Sequence, residues 1–135
     1  MPERARKALC CCGSSFITLA AAPIIVGICH CDNCKRRTGS AFGWSAYFLD
    51  DAVLETGGAL REYRLSERQQ RSFCATCGTT LFWKTSTFPG HTGVAGGCFE
   101  DPLPEPNLTV SNDGKCAWVG LPESWRTSIA PGPKT

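Results

Sequence analysis

Apolar residues along this chain come in short runs separated by turn-forming residues, a pattern typical of β-strands rather than long helices. We predict a first strand over residues 9–19, a buried strand over residues 24–31 and a third strand over residues 43–49. Fourteen glycines and nine prolines supply the turns that short strands need. The pattern therefore predicts an all-β fold with little helix.

Two further segments predict hairpins. Residues 52–55 and 60–65 flank the pair Gly57-Gly58, which favours a tight turn between two strands. Residues 72–83 read as a second hairpin whose turn is a Cys-Ala-Thr-Cys-Gly segment, and the glycine of that turn can adopt a positive φ.

The remaining segments are less regular. Residues 32–39 are polar and predict an irregular segment with a single helical turn, whereas residues 94–99, 108–110 and 115–119 are the last strand candidates. Residues 122–135 contain three prolines and little apolar pattern, so we expect a C-terminal tail or a segment laid on the surface.

Composition narrows the class of protein. A length of 135 residues suits one domain spanning residues 1–135. An apolar content of 42% and a charged content of 19% describe an ordinary globular chain. The net charge of only +2 argues against a nucleic-acid or membrane partner. Composition leaves the oligomeric state open.

The N-terminal segment has the outline of a secretory signal, because basic residues precede an apolar stretch over residues 16–28. Cleavage near Ala22 would remove Cys10 and Cys12, however, and the stretch is interrupted by Pro23 and too short to span a bilayer. We therefore expect a protein of the reducing cytoplasm.

Cysteine carries the strongest chemical signal. Seven of the ten cysteines fall into three tight clusters: Cys10 and Cys12, then Cys29, Cys31 and Cys34, then Cys74 and Cys77. These spacings favour zinc over disulfides, and a Cys-x-x-Cys-Gly turn followed by a strand favours zinc over a thioredoxin-type pair. Seven thiolates can make one closed four-cysteine site and one three-cysteine site with an open position, as a catalytic zinc requires. Spacing alone leaves the pairing between clusters open.

The middle cluster has a histidine and a basic run beside it. Strand alternation turns His30 away from its neighbours, which favours a hydrogen-bonded histidine over a fourth ligand or base. The basic run Lys35, Arg36 and Arg37 is either a solvated face or an electrostatic partner of the site. A zinc with three thiolates carries a formal charge of about −1, and a fourth thiolate makes it about −2. Nearby cations would stabilise that state and hold the carboxylates of a substrate.

Residues close to the middle cluster are candidates for a binding pocket. Gly39, Ser40 and Phe42 follow it directly, and we expect them to line the pocket. Trp44 either lines the same pocket or fills the core. Cys98 stands outside the clusters, and we expect it to be buried and inert.

Four motifs occur in a fixed order along most of the chain. They are Cys10-x-Cys12-Gly13, Cys29-His30-Cys31-x-x-Cys34-Lys35-Arg36-x-Thr38-Gly39-Ser40, Phe73-Cys74-x-x-Cys77-Gly78-Thr79 and Phe99-Glu100-Asp101-Pro102. Together they resemble the glutathione-dependent formaldehyde-activating enzyme family, from about residue 9 to about residue 118.

The resemblance implies a β-tent, in which small coiled antiparallel sheets are clamped by zinc. It places a structural zinc on Cys10, Cys12, Cys74 and Cys77, and a catalytic zinc on Cys29, Cys31 and Cys34. The type reaction adds glutathione, as a thiol co-substrate, to formaldehyde and gives S-hydroxymethylglutathione, which is carbon–sulfur lyase chemistry in reverse and serves detoxification. The implied partners are a small-molecule thiol and an aldehyde.

Two other classes of protein compete with this interpretation. A non-enzymatic zinc module that binds a protein or a nucleic acid would present a broad basic surface, which the net charge of +2 does not favour. A thiol-repair or redox enzyme would need a reactive cysteine that binds no metal, and Cys98 is the candidate.

Overall fold

The computed structural model describes residues 5–128, and strands dominate it, as the all-β prediction requires. Within these residues the strands are β1 (Arg6–Leu9), β2 (Phe16–Leu19), β3 (Ile25–Cys29), β4 (Gly43–Leu49), β5 (Val53–Gly57), β6 (Leu60–Ser66), β7 (Gln69–Cys74), β8 (Thr80–Thr85), β9 (His91–Ala95), β10 (Leu108–Val110) and β11 (Arg126–Ser128). The α-helix of this part of the chain is α1 (Asp32–Thr38), and 3₁₀ turns occupy Asp50–Ala52, Gly96–Cys98 and Asn112–Gly114. None of the helices in residues 5–128 has the length and apolar character needed to cross a membrane.

The strands form two sheets. The small sheet has the order β1-β2-β5, and the large sheet has the order β11-β10-β3-β4-β9-β8-β7-β6. Neighbouring strands are antiparallel except around β10, which runs parallel to both β3 and β11. The parallel pairs differ from the purely antiparallel prediction. They arise because a long connection, residues 96–107, carries the chain from β9 across to the far side of β3.

The hydrophobic core joins the two sheets. Ile17 and Leu19 alternate with less buried residues along β2 and turn one face of the small sheet inward. Phe48, Leu81 and Val94 belong to three neighbouring strands of the large sheet and are fully buried in the same cluster. Each such side chain stabilises the fold by roughly 1.5–3 kcal/mol through burial.

Residues 9–19, predicted as one strand, instead contain the turn and the second strand of a hairpin. β1 pairs with β2, and the first cysteine cluster lies in the connection between them. The chain reverses at Gly13, where φ is 79° and the backbone N–H donates to the Cys10 carbonyl at 3.0 Å. Cys10 and Cys12 therefore lie in the connection between β1 and β2, and not in the continuous strand predicted over residues 9–19.

The hairpin predicted around Gly57-Gly58 is also wrong. β5 pairs with β2 and β6 pairs with β7, so the two segments belong to different sheets. Gly58 has a φ of 92°, and a Cβ atom on it would lie 1.9 Å from the Ser14 carbonyl oxygen. Gly57 and Gly58 let the chain cross from the small sheet to the large sheet, where it passes close to the turn between β1 and β2.

Two segments are more helical than predicted. Residues 32–39 contain the seven-residue helix α1 instead of a single turn, with Cys31 as its N-cap and Gly39, at a φ of 65°, as its C-cap. The strand predicted over residues 94–99 ends at Ala95, where a 3₁₀ turn begins.

The C-terminal part also differs from prediction. Residues 115–119 form a turn, with the Val119 N–H donating to the Cys116 carbonyl at 3.0 Å, rather than a strand. The segment expected to be a tail contains β11, which extends the large sheet, while residues 129–135 lie outside the described residues. Backbone pairing with β10, which local composition does not reveal, makes residues 126–128 a strand, whereas the turn at residues 115–119 closes through its own local hydrogen bond.

We predict that Gly58→Ala destabilises the protein far more than Gly90→Ala. Both glycines have positive φ, but a Cβ atom at Gly90 would meet nothing within 4 Å, whereas at Gly58 it would collide with backbone. Backbone strain alone costs about 1–2 kcal/mol, so Gly90→Ala should lose about that much and Gly58→Ala several kcal/mol more. Urea unfolding of the zinc-loaded proteins measures both losses, and equal losses would contradict the packing at Gly58.

Candidate metal centres and the adjoining cavity

The first and third cysteine motifs come together in one four-cysteine cluster. The sulfur atoms of Cys10, Cys12, Cys74 and Cys77 all lie within 4.8 Å of one another. Cys10 and Cys12 come from the β1–β2 turn, and Cys74 and Cys77 come from the β7–β8 turn, so the cluster joins the two sheets.

The geometry of this cluster fits a tetrahedral metal. Sulfur ligands about 2.3 Å from zinc in a tetrahedron are about 3.8 Å apart. The Sγ of Cys12 lies 3.6 Å from that of Cys10 and 3.8 Å from that of Cys74. Both turns end in glycines of positive φ, Gly13 and Gly78, which fold the backbone around the sulfurs.

Hydroxyl groups around the four-cysteine cluster favour the ionised sulfurs that a metal needs. The Ser14 hydroxyl, 3.4 Å from the Cys74 Sγ, lowers the pKa of Cys74 to about 5. The Thr79 hydroxyl, 3.2 Å from the Cys77 Sγ, lowers the pKa of Cys77 to about 7. Since zinc binds thiolates, the turns are arranged to receive it.

The middle motif forms a separate three-cysteine cluster at the start of α1. Cys29 ends β3, Cys31 caps the helix and Cys34 lies in its first turns, with all three sulfurs within 4.8 Å of one another. The Cys31 sulfur accepts a hydrogen bond from the Cys34 backbone N–H at 3.4 Å. Cys29 and Cys34 are buried, while Cys31 is partly exposed.

Three thiols at this spacing cannot all ionise unless a cation joins them. Hydrogen bonds from Cys29 and Cys34 lower the pKa of Cys31, whereas the pKa of Cys34 is raised, first by its contact with Cys29 and then by Cys31. One negative charge is thus favoured and further ones are opposed. A divalent metal removes this conflict, and the donor set fits a zinc with three protein ligands and an open position.

The histidine between these cysteines is not part of the cluster. His30 is fully buried, and its Nε2 lies 3.0 Å from the Thr109 hydroxyl. Thr109 donates its own proton to Asn112, so His30 donates through Nε2. This is the hydrogen-bonded histidine that strand alternation favoured, and burial lowers its pKa.

A cavity of about 460 Å³ lies between α1, the start of β4, the β7–β8 turn and the Gly96-Gly97 segment. The Trp44 ring forms one wall, because its Nε1 donates to the Pro104 carbonyl at 3.0 Å and a Cβ atom on Gly96 would lie only 2.5 Å from the ring. Helix α1 begins at the three-cysteine cluster, and its end lines this cavity. The turn that contains Cys77 lines the same cavity from another side.

Of the five residues predicted to bind substrate, two line the cavity and three do not. Ser40 and Phe42 line the cavity. Gly39 caps α1, Arg36 is exposed and the Lys35 ammonium donates to the Gly114 carbonyl, so none of these three lies in the cavity wall.

Arg37, predicted as part of the basic run but not as a residue of the binding pocket, lies in the cavity wall. It follows Cys34 by three positions, which places both side chains on one face of a helix. That spacing becomes a usable signal only if the segment is predicted as a helix rather than as an irregular turn.

The cavity wall also contains Cys98. Burial raises the pKa of its thiol to about 11, so the thiol stays protonated at neutral pH. This environment does not favour the reactive nucleophile that a redox enzyme would need.

Two cysteine clusters that could each hold a metal ion, carried by a fold of mostly strands, are typical of small zinc-binding β proteins. The sequence profile described as glutathione-dependent formaldehyde-activating enzyme matches residues 5–112, most of the chain. The chain belongs to that family.

The comparison with solved structures supports the fold. The crystal structure of a Rhodobacter sphaeroides protein superimposes with a TM-score of 0.58 and 23% sequence identity, covering 73% of this chain and 91% of the other. No protein of curated function matches the sequence significantly.

We predict that Cys74→Ser removes the metal of the four-cysteine cluster and unfolds the protein. Cys74 is fully buried, and structural zinc contributes on the order of 10 kcal/mol to the folding of small domains. Elemental analysis of zinc per chain and far-ultraviolet circular dichroism measure the two effects. Cys116→Ser, outside both clusters, is the control and should keep wild-type zinc and fold. A folded Cys74→Ser protein with wild-type zinc content would refute the assignment.

We predict that Cys98 in the folded, zinc-loaded protein reacts slowly with iodoacetamide at pH 8. At a pKa of about 11 the thiolate fraction is smaller than that of an ordinary thiol by about two orders of magnitude. The rate should rise as the pH approaches 11. Peptide mass mapping measures it, with the denatured protein as the control. Equal rates in folded and denatured protein would contradict the burial of Cys98.

Proposed function

We propose that this protein catalyses the addition of a thiol, with glutathione as co-substrate, to formaldehyde or another small aldehyde. The product is an S-hydroxymethyl thiol adduct, and the reverse reaction makes the enzyme a carbon–sulfur lyase. The site would comprise Cys29, Cys31 and Cys34 as zinc ligands, with the cavity beyond α1 holding the rest of the thiol substrate.

The main support for the proposal is the three-cysteine cluster at the start of α1, together with the cavity that the end of the same helix lines. A closed four-cysteine site suffices to stabilise a small domain, so a second, incomplete cluster calls for a ligand from outside the chain. His30, the nearest candidate for a fourth protein ligand, donates to Thr109 instead. The family to which the chain belongs supports a thiol and an aldehyde as the substrates.

Zinc in this cluster would supply an open coordination position and a positive charge that lowers the pKa of an incoming thiol. The protein itself orients the reactants. Phe42 and Trp44 provide apolar and aromatic walls, and the Ser40 hydroxyl, which donates to the Phe42 carbonyl at 2.8 Å, holds the loop after α1. Bringing two small reactants together in such a space is itself a large source of rate enhancement.

The atoms of the reaction balance without any redox partner. The sulfur lone pair attacks the aldehyde carbon, one carbon–sulfur bond forms and the carbon–oxygen π bond breaks. The proton that leaves the thiol ends on the new hydroxyl group. Because this chemistry needs reduced thiols throughout, we also propose a location in the reducing cytoplasm.

We predict that glutathione enters the coordination sphere of one of two bound zincs. Zinc K-edge absorption of the reduced protein should show on average about seven sulfur ligands and one lighter ligand per two zincs, and glutathione should replace the lighter ligand with sulfur. S-methylglutathione, which has no free thiol, is the matched ligand control and should change nothing. Cys31→Ser should lower the zinc content towards one per chain and leave most of the fold intact.

The same protein should accelerate the exchange of ¹³C-formaldehyde with its glutathione adduct, as measured by NMR line shapes above the spontaneous rate. Loss of that acceleration in Cys31→Ser, and its retention in Cys116→Ser, would assign it to the three-cysteine site. One tightly bound zinc that ignores glutathione would refute the enzyme and favour a structural module that binds a partner.

A further inference from the structure

Among residues 5–128, two arginines near the three-cysteine cluster have no acidic partner. The ion pair between Lys84 and Asp50 lies far along the chain from the cluster. Arg37 on α1 and Arg71 on β7 are both partly buried, yet neither meets a carboxylate. Partly burying a cation costs free energy unless a negative charge offsets it.

Arg37 is held directly beside the Cys34 sulfur. Its guanidinium carbon lies 3.9 Å over the Trp83 ring. A Cβ atom on Gly43 would lie 2.5 Å from the Arg37 Nη2 and 3.4 Å from the Cys34 Sγ. The missing side chain of Gly43 therefore leaves the space in which the guanidinium approaches Cys34.

Arg71, on strand β7, contacts the segment that carries the three cysteines. Its Nη2 donates to the Asn33 side-chain oxygen at 2.7 Å and to the Gln69 side-chain oxygen at 3.2 Å. Asn33 stands between Cys31 and Cys34 in sequence, so this contact ties Arg71 to the cluster. Both acceptors are neutral amides, and the charge of Arg71 stays uncompensated by the protein.

The negative charge that these arginines lack appears when the site is filled. Three cysteine thiolates around a zinc ion carry a formal charge of about −1, and a fourth thiolate raises it to about −2, equal and opposite to two arginines. We propose that Arg37 and Arg71 are the counter-charges of this four-thiolate state and select an anionic sulfur ligand over a neutral one at the open position. This inference rests on the proposed function.

The four-cysteine cluster offers an internal comparison. Its sulfurs contact the hydroxyls of Ser14 and Thr79, and Cys12 is exposed to water, which screens the charge. Each cluster has two buried cysteines, but the three-cysteine cluster has no fully exposed cysteine and has two cations close to it. The two arginines therefore lie near the cluster whose formal charge would change when an external thiolate binds.

Calorimetric titration of the zinc-loaded protein tests the inference with two probes for the open position. The first probe is 2-mercaptoethanol, a thiol without a carboxylate that loses its proton and binds zinc as an anionic thiolate, and the neutral probe is imidazole. Removing one nearby charge should weaken thiol binding by about tenfold in Arg37→Met and again in Arg71→Met, because Met keeps the apolar stem but not the charge. Imidazole affinity should change less than about twofold, and zinc content and circular dichroism should stay as in the wild type.

Three further variants make the test specific. Arg37→Lys and Arg71→Lys keep the charge and should restore thiol affinity to within about threefold of the wild type, although Lys cannot reproduce the planar fork of Arg. Arg61→Met removes an exposed charge from β6, away from the cluster, and should bind both probes as the wild type does.

Four other results would contradict the inference, each for a different reason. Equal loss of thiol and imidazole affinity would show that the arginines only maintain the structure of the site. A loss seen with glutathione but not with 2-mercaptoethanol would show that they hold carboxylates instead. Unchanged thiol affinity would remove any electrostatic role. A wild-type protein that binds no thiol at all would refute the proposed function and, with it, this inference.

Discussion

Sulfur atoms crowded together can be ionised only around a cation, and this electrostatic constraint organises the molecule. Seven thiols lie in two clusters, each with its sulfurs within 4.8 Å of one another. In the four-cysteine cluster the constraint acts on the fold, because its ligands come from a turn of the small sheet and a turn of the large sheet. A metal there is a crosslink between sheets that share only a modest hydrophobic core.

The same electrostatic constraint acts on the three-cysteine cluster. A metal held by its three thiols would keep one position open, and the end of α1 lines a cavity with room for the rest of an external ligand. The β7–β8 turn lines that cavity through Gly78 and Thr79 while holding Cys77 in the other cluster. The structural cluster thus also shapes the binding space, and loss of its metal would deform the wall as well as loosen the fold.

Sequence reasoning succeeded where the signal is local. The hairpin over residues 72–83, the strand over residues 43–49 and the orientation of His30 all follow from alternation and turn chemistry within a few residues. It failed at Gly57-Gly58 because two glycines permit both a tight hairpin and a crossing between sheets, and only the contact with Ser14 decides between them.

The amino-acid sequence is enough to predict the chemistry, because it contains seven cysteines in three motifs, enough for one set of four and one set of three, on a chain of short strands. Which cations lie near the three-cysteine cluster depends on the three-dimensional fold. Of the basic run, Lys35 turns to Gly114 and Arg37 turns to Cys34, while Arg71 arrives from a strand 37 positions beyond Cys34. Ligand spacing is a property of the local backbone, but charge compensation depends on which distant strands the fold brings against the cluster.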